Sequence, residues 1–273
     1  NGQDAQVRQA SEYWRMSGAT YSKRSQKGFS ARALPAECII AGKGPAILSQ
    51  STVPAEYLLG WVNSRFVRWI IEIQANDHEY NTGIVKKVPW IDGVALSHDL
   101  CDLTKAAVIG LRFARAINET NSCFIPILNL NSMKASLEQW ERLNEDAELE
   151  VSNVMGDWDR FIDQLYGVES SSLQLDDQDG ELSRKEEDED QEEDSTSIPR
   201  SESAGSFIGI MVGFVFGRWD IRIALDRSLA PKLPDPFDPL PVCPPGMLVG
   251  TDGLPGEPNR IVSEEWLRAR PDA

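Results

Sequence analysis

Basic and hydroxyl-bearing side chains are concentrated near the start of the sequence, in Tyr21-Ser22-Lys23-Arg24 and in Lys27-Gly28-Phe29-Ser30-Ala31-Arg32. Such groups suit contacts to DNA phosphates, and arginine can also read the edge of guanine. The candidate DNA-binding residues are Tyr21, Lys23, Arg24, Lys27, Arg32, Lys43, Arg65, Arg68, Lys86 and Lys87. A solvated loop explains the first cluster equally well. For Arg65 and Arg68 a plain helix surface is slightly favoured, because Arg68 can pair with Glu72 four residues on.

The sequence contains no complete active site. Its two histidines, His78 and His98, lack a second histidine at helical spacing, and no Gly-x-Ser-x-Gly turn is present. The four cysteines stand too far apart along the chain for a zinc ribbon or a redox pair. These observations predict no catalytic residue and no metal site within this chain, and they favour a binding surface.

The formal net charge is −16, which taken alone argues against a nucleic-acid partner. The charge is unevenly distributed, however: residues 176–194 carry 12 acidic and 2 basic side chains, whereas residues 1–90 carry 7 acidic and 11 basic ones. Exposed charges more than about 8–10 Å apart are largely screened in cellular salt. A DNA-facing patch therefore responds to its local charge, and the N-terminal third remains a candidate for DNA binding.

Apolar spacing predicts three long helices. The first, over 51–75, is capped by Ser51 or Thr52 and has Trp61, Arg65, Arg68 and Glu72 on its polar face. Its apolar face consists of Leu58, Val62, Phe66, Trp69 and Ile73. The second helix, over 97–118, is capped by Ser97. The third, over 133–166, is one helix or a pair that Gly156 can break.

The remaining segments predict shorter elements. Residues 1–50 predict short strands and turns, and residues 76–93 predict a turn followed by a strand. The apolar run 207–217 predicts a short buried helix that ends near Gly217. It is about half the roughly 20 residues that a membrane helix needs, so no membrane partner is expected. Because no signal peptide is recognisable either, a cytoplasmic location is expected.

Composition divides the chain into four consecutive segments. Residues 1–95 predict an α/β target-recognition-like module, and residues 96–168 predict a helical bundle. Residues 169–204 are Ser-rich, acidic and poor in apolar side chains, which predicts a disordered linker. Residues 205–273 predict an irregular, Pro-rich C-terminal segment that packs on the module or on a further domain. The predicted fold class is therefore α+β, mixed: a small mixed-sheet module with a helical bundle.

Several segments occur in an order that resembles one protein family. Gly18-Ala19-Thr20-Tyr21-Ser22 and Gly28–Pro35 come first, followed by Leu58–Arg65 and Tyr80–Pro89. Asn118-Glu119-Thr120 with Phe124, Phe161–Val168 and Gly217–Arg222 follow. This order resembles the recognition region of large adenine-specific DNA methyltransferases, the PglX-like enzymes of BREX and DISARM phage defence, and related fused restriction–modification enzymes. The acidic run 176–194 departs from that pattern.

The resemblance implies N6-adenine methylation of a short site in double-stranded DNA by an intact protein that uses S-adenosylmethionine. A methyltransferase needs a glycine-rich cofactor loop and an Asn/Asp-Pro-Pro-aromatic turn that grips the flipped adenine. Gly42-Lys43-Gly44 is too short for that loop, and Pro244-Pro245 lacks the flanking polar and aromatic residues. The chain, which begins with Asn1, is therefore expected to be a fragment whose N-terminal catalytic domain, with its cofactor site, is missing.

Two other interpretations remain open. The chain can be a non-enzymatic module that holds partner proteins of a defence complex through its acidic run and apolar C-terminal segment. It can also be the recognition end of a fused restriction endonuclease–methyltransferase.

Overall fold

A computed structural model describes residues 13–40, 44–50, 52–91, 97–126, 129, 132–173 and 200–256. Its strands are β1 (Gly18–Tyr21), β2 (Ala31–Leu34) and β3 (Ala46–Leu48). Its α-helices are α1 (Ala55–Asn63), α2 (Arg65–Glu72), α3 (Thr82–Val85), α4 (His98–Arg115), α5 (Met133–Tyr166), α6 (Arg200–Val215) and α7 (Ile221–Leu225). Short 3-10 helices lie at Ser170–Ser172 and Arg227–Leu229. The predicted α+β class is confirmed.

The three strands form one sheet in the order β2-β1-β3, and both pairings are antiparallel. The described sheet is therefore antiparallel rather than mixed. The central residue Ala19, which faces Ala33 on one side and Ile47 on the other, is fully buried. At Gly18 a side chain would overlap the backbone of Ile47, so only glycine allows β3 to approach this closely. The sheet is thus a thin platform whose inner surface rests on helix α1.

The helix predicted over 51–75 is instead two helices, because the chain becomes extended at Ser64, with φ −61° and ψ 148°. The buried Ser64 hydroxyl donates to the Trp61 carbonyl oxygen at 2.7 Å, which satisfies the end of α1. The first amide of α2, that of Arg65, donates to the Asp159 carboxylate at 2.6 Å. Pro54, not Ser51 or Thr52, occupies the N-cap position of α1, and Ser51 lies outside the described residues.

Because of the break at Ser64, the residues that α2 buries are not those predicted for a single continuous helix. Leu58 and Val62 are buried as predicted, but the buried residues of α2 are Val67 and Ile71 rather than the predicted series. Ile73, placed on the apolar face by spacing, is 59% exposed. Trp61, placed on the polar face, is buried. One extended residue shifts the phase of every later side chain, and the continuous-helix prediction was wrong for that reason.

The predicted strand between residues 76 and 93 is also absent from the described part of that stretch. A tight turn over residues 76–79 comes first, closed by a hydrogen bond from the Glu79 amide to the Asn76 carbonyl at 3.1 Å. Helix α3 follows, and its turns continue through Val88, whose amide bonds to Val85. Ile84 and Val85 are half-buried at helical rather than strand spacing.

The two long helices predicted further along the chain are confirmed. Ser97 caps α4, since its hydroxyl oxygen accepts from the Leu100 amide at 3.4 Å. Helix α5 is continuous for 34 residues, and Gly156 does not interrupt it. Glycine lowers helix stability only modestly, and here the flanking buried residues Val154 and Trp158 hold both sides of it in place.

The chain divides into two compact units, each assembled from separate stretches. Unit 1 comprises Asn1–Val108, Glu150–Glu187 and Asp235–Pro239, and unit 2 comprises Ile109–Leu149, Asp188–Pro234 and Leu240–Ala273. The helical segment predicted over 96–168 contributes to both units. The described ends of the predicted linker 169–204 are helical, in Ser170–Ser172 and at the start of α6. The acidic run 176–194 lies outside the described residues.

The core of unit 1 is centred on Trp158, which is fully buried and packs against α1 at Gly60. Its indole N–H donates to the Thr104 hydroxyl at 2.7 Å, and that hydroxyl donates to the Leu100 carbonyl at 2.7 Å. The indole N–H and the Thr104 hydroxyl therefore both have hydrogen-bond partners, which offsets the cost of removing these groups from water.

Unit 2 has its own core, in which Trp219 packs on Phe124 with ring centroids 4.3 Å apart. Helix α6 ends where predicted, with Gly217 in a left-handed conformation at φ 68°. The helix is buried on one side only: Ile210 is inaccessible to solvent, whereas Val215 is 83% exposed. Beyond α7, residues 231–256 are irregular, as predicted. Among the described residues, no helix is both long and apolar enough to cross a membrane.

Replacing Gly60 by alanine tests the contact between α1 and Trp158. A methyl group at Gly60 would overlap the indole, so the substitution is expected to lower the free energy of unfolding by about 1–3 kcal/mol. Gly83→Ala in α3 is the matched control, because no atom lies within 4 Å of the added methyl group. The control should be neutral or stabilise by up to about 1 kcal/mol. Urea unfolding measures both, and equal effects would contradict the packing.

Candidate nucleic-acid interface

The first cationic cluster lies on the loop that joins β1 to β2, and a neighbouring turn braces that loop. The Tyr80 amide donates to the Lys23 carbonyl at 2.6 Å, and the Ser25 amide donates to the His78 carbonyl at 3.3 Å. In the bracing turn Asp77 and His78 adopt left-handed conformations, with φ 55° and 54°. Asn, Asp and His tolerate this region better than other non-glycine residues. His78 therefore has a conformational role in the turn.

The same turn supplies acidic partners to two of the predicted cations. Lys23 Nζ lies 3.0 Å from Glu79 Oε1, and Arg24 Nη2 lies 3.1 Å from Asp77 Oδ2. The hydrogen bond and charge of Lys23 lower the pKa of Glu79, which therefore stays ionised at neutral pH. All four side chains are substantially exposed, so these pairs are weak in water and salt can screen them.

Arg32 extends the cluster from strand β2. Its Nη2 atom donates to the Ser22 hydroxyl at 3.2 Å, which holds the guanidinium beside the residue that precedes Lys23. Lys27 is exposed in the loop between them. Lys23, Arg24, Lys27 and Arg32, called here the cationic loop, thus lie on the β1–β2 loop and at the start of β2.

Tyr21 belongs to the core and not to the candidate surface. It is only 2% exposed, and its ring lies 5.1 Å from that of Phe29, which in turn lies 5.2 Å from that of Tyr80. Burial raises the pKa of Tyr21 to about 12. The alternation of strand β1 turns Tyr21 inward, towards helix α1, so its inclusion among the DNA-binding candidates is corrected.

Arg65 and Arg68 belong to ion pairs within unit 1. Arg68 Nη2 lies 3.7 Å from Glu72, as the four-residue spacing predicted, and Glu72 Oε1 also accepts from the Phe29 amide at 2.9 Å. Arg65 Nε lies 4.0 Å from Asp159 Oδ2. Burial raises the pKa of Asp159, and the hydrogen bond from the Arg65 amide opposes that rise. Glu72 thus ties α2 to the loop before β2, Arg65 ties it to α5, and both arginines have carboxylate partners within unit 1.

The last candidates are Lys86, Lys87 and Lys43. The first two are exposed side by side in the turn that follows α3. Lys43 lies outside the described residues.

Sequence reasoning missed the residue that positions the cationic loop, which is Asn63 at the end of α1. Its side chain accepts from the Ala31 amide at 2.9 Å and donates to the Ala31 carbonyl at 3.0 Å, so it pairs with β2 as a strand would. It also donates to the Leu59 carbonyl at 2.9 Å. The only sequence signal was the resemblance of Leu58–Arg65 to a leucine-rich helix that ends in Asn-Ser, which places Asn63 at the end of a helix but predicts no contact for it.

Within the described ranges, no cluster of three or more His, Cys, Asp or Glu side chains is arranged to hold a metal ion. The full sequence matches no known family, and no curated protein resembles it significantly.

Asn63→Asp tests the clamp on β2. The carboxylate keeps the acceptor for the Ala31 amide but faces two carbonyl oxygens without a donor, which should cost about 1–3 kcal/mol of unfolding free energy. Because protonation restores one donor, the loss should shrink as the pH falls through the raised pKa of the introduced carboxyl and should level off below about 4. The same change at exposed Asn153 of α5 is the control and should stay within about 0.5 kcal/mol. Equal, pH-independent effects in urea unfolding would count against the clamp.

Proposed function

We propose that this chain is the DNA target-recognition part of an adenine-specific (N6) DNA methyltransferase that acts in phage defence or restriction–modification. The observation that carries the proposal is the cationic loop, which presents four basic side chains within ten residues on a braced platform. Basic side chains on a fixed framework suit the phosphate contacts that set the register of a protein on DNA. The collinear resemblance to the PglX-like enzymes supplies the reaction.

The buried contacts support the proposal in a second way. Segments that carry the resemblance include residues that connect the elements of unit 1. Gly18 allows β3 to approach β1, Asn63 hydrogen-bonds to β2, and the Tyr80 amide hydrogen-bonds to the cationic loop at Lys23. A likeness confined to surface loops would not recur at positions that hold the platform together. We expect the likeness to reflect a shared platform.

In the proposed protein, S-adenosylmethionine supplies the methyl group and is bound by a catalytic domain outside this chain. The residues described here would bind and orient double-stranded DNA, so no catalytic step is assigned to them. The proposed setting is the cytoplasm, with the catalytic domain and other defence-system proteins as partners.

The first experiment reads the DNA upstream of the Asn1 codon, in frame. A glycine-rich loop followed by Asn-Pro-Pro-Tyr or a close variant is expected there. The intact protein should then transfer a labelled methyl group to adenine in duplex DNA. A nearby start codon with neither motif would overturn the proposal, and a nuclease motif further upstream would identify a fused restriction enzyme.

Removing two cations of the cationic loop should weaken DNA binding and reduce its dependence on salt. For Lys23→Ala with Arg24→Ala we expect the slope of log affinity against log salt to fall by about 1.8, because each phosphate contact contributes about 0.9. Fluorescence anisotropy over a salt series measures the slope. Lys134→Ala with Arg142→Ala removes two cations of α5 outside the candidate set and is the control. An unchanged slope in the first variant would exclude Lys23 and Arg24 from the interface.

Removing Asp77 and Glu79, the acidic partners of Arg24 and Lys23, should strengthen DNA binding. Asp77→Asn with Glu79→Gln leaves Lys23 and Arg24 without the carboxylates that neutralise them, so duplex affinity should rise severalfold at low salt. The turn should survive, because asparagine tolerates the left-handed conformation at position 77. Weaker binding by a folded variant, judged by circular dichroism, would show that the acids do not compete with phosphate.

A second candidate function is a non-enzymatic interaction module. The observation in its favour is the exposed apolar side of α6 and the residue after it, formed by Ile208, Val212, Val215 and Phe216. Adjacent exposed apolar residues of this kind commonly mark contact with another protein. Binding to a partner protein by a chain with no measurable affinity for DNA would favour this candidate over target recognition.

A further inference from the structure

Trp90 is a large aromatic residue that remains 40% exposed although it adjoins the core of unit 1. Its ring meets Trp61 at a centroid distance of 5.1 Å and Tyr57 at 6.1 Å, both at steep angles. Edge-to-face contacts of this kind are favourable arrangements for aromatic rings. One part of the indole is therefore held by buried aromatic neighbours, and the rest is presented to solvent.

The backbone before Trp90 is held by a hydrogen bond from helix α5. The Tyr166 hydroxyl donates to the Pro89 carbonyl at 2.6 Å and accepts from the indole N–H of Trp61 at 3.2 Å. Burial raises the pKa of Tyr166, so its hydroxyl keeps the proton that it donates. Proline fixes its own φ angle, which restricts this point of the chain further. The backbone that carries Trp90 is thus restrained before any partner binds. Binding would therefore cost this segment little additional conformational entropy.

The stretch that leads to Trp90 is basic and free of acids. Residues 81–91 contain Lys86 and Lys87 and no Asp or Glu. Both lysines are exposed, and buried Val88 pins the turn between them and Trp90. Four residues of chain span at most about 14 Å, so both cations lie within a few nucleotides of the indole. An exposed aromatic face beside two exposed cations is the combination that holds single-stranded nucleic acid, by stacking on a base and pairing with its phosphates.

We propose that Trp90 stacks on an unpaired base of the bound DNA, while Lys86 and Lys87 hold the adjacent phosphates. The inference rests on the proposed function for its ligand, because adenine methylation requires a base to leave the duplex. Bases inside an intact duplex are covered by their neighbours on both faces. A base that has lost its partner or its neighbour offers a free face, and Trp90 would recognise that face.

The test uses the 273-residue chain and two fluorescent DNA probes of equal length. One is a fully paired duplex, and the other carries 2-aminopurine opposite an abasic site. Trp90→Leu keeps apolar bulk but removes the indole, so affinity for the second probe should fall roughly tenfold, while affinity for the paired duplex should change less than about twofold. Trp90→Phe retains an aromatic face and should recover most of the loss.

Two further readouts separate stacking from a structural role. The wild-type chain should quench 2-aminopurine fluorescence and Trp90→Leu should not, although both remain folded by circular dichroism. Trp90→Leu should leave the salt slope unchanged, whereas Lys86→Ala with Lys87→Ala should lower it by about 1.8. Ile73→Ala, which shortens an exposed apolar side chain of the same unit, is the control and should change none of these values.

The outcomes distinguish this inference from the function on which it rests. If the wild-type chain binds neither probe, the DNA-recognition proposal fails and the stacking role fails with it. If the chain binds DNA but Trp90→Leu binds the abasic probe as tightly as wild type, with the same quenching, only the stacking role is overturned. An equal loss on both probes would also overturn it, because it would show a general contact and not recognition of an unpaired base.

Discussion

The arrangement of unit 1 depends on the junction between α1 and α2. There Asn63 bonds to β2, Ser64 ends one helix, and Asp159 of α5 receives the first amide of the next. The consecutive residues Asn63, Ser64 and Arg65 thus connect the sheet, helices α1 and α2, and the long helix α5. Because these bonds lie in partly or fully buried surroundings, losing one leaves a polar group that solvent cannot readily satisfy. The cationic loop ends in β2, so its position on the surface is set in part through this junction.

Helices were predictable where their stability comes from a regular buried face. Helix α5 keeps Trp140, Ala147, Val154 and Trp158 buried at near-helical spacing over its length, and periodicity alone identified it. The break at Ser64 was not predictable in the same way. In the sequence, apolar residues keep helical spacing from Leu58 to Ile73, so the spacing gives no sign that the helix ends at Ser64. The side chain that makes the break favourable belongs to Asp159, 94 residues beyond Arg65. A local pattern carries no information about a partner that distant.

For the candidate surface too, the sequence showed which residue types are present but not where the fold places each of them. Grouped basic residues identified the cationic loop, because charged side chains are rarely buried without partners. Tyr21 was misplaced because the sequence does not show which side of a three-stranded sheet is covered. Trp90 was passed over because the sequence does not show that it is exposed. Its placement depends on Tyr57 and Trp61 of α1 and on Tyr166 of α5. Whether the surface binds DNA stays a prediction.

Local charge gives the two basic regions of unit 1 different properties. Lys23 and Arg24 already face carboxylates, so a phosphate that binds them must displace or tolerate Glu79 and Asp77. If this loop binds DNA, it would discriminate against weakly bound anions, since its net charge is small until the acids are displaced. Residues 81–91, which contain Lys86 and Lys87 but no Asp or Glu, would carry no such cost and would attract phosphate at longer range. A surface with both features would draw DNA in through Lys86 and Lys87 and would fix its register at the cationic loop, where exchange of partners requires close fit.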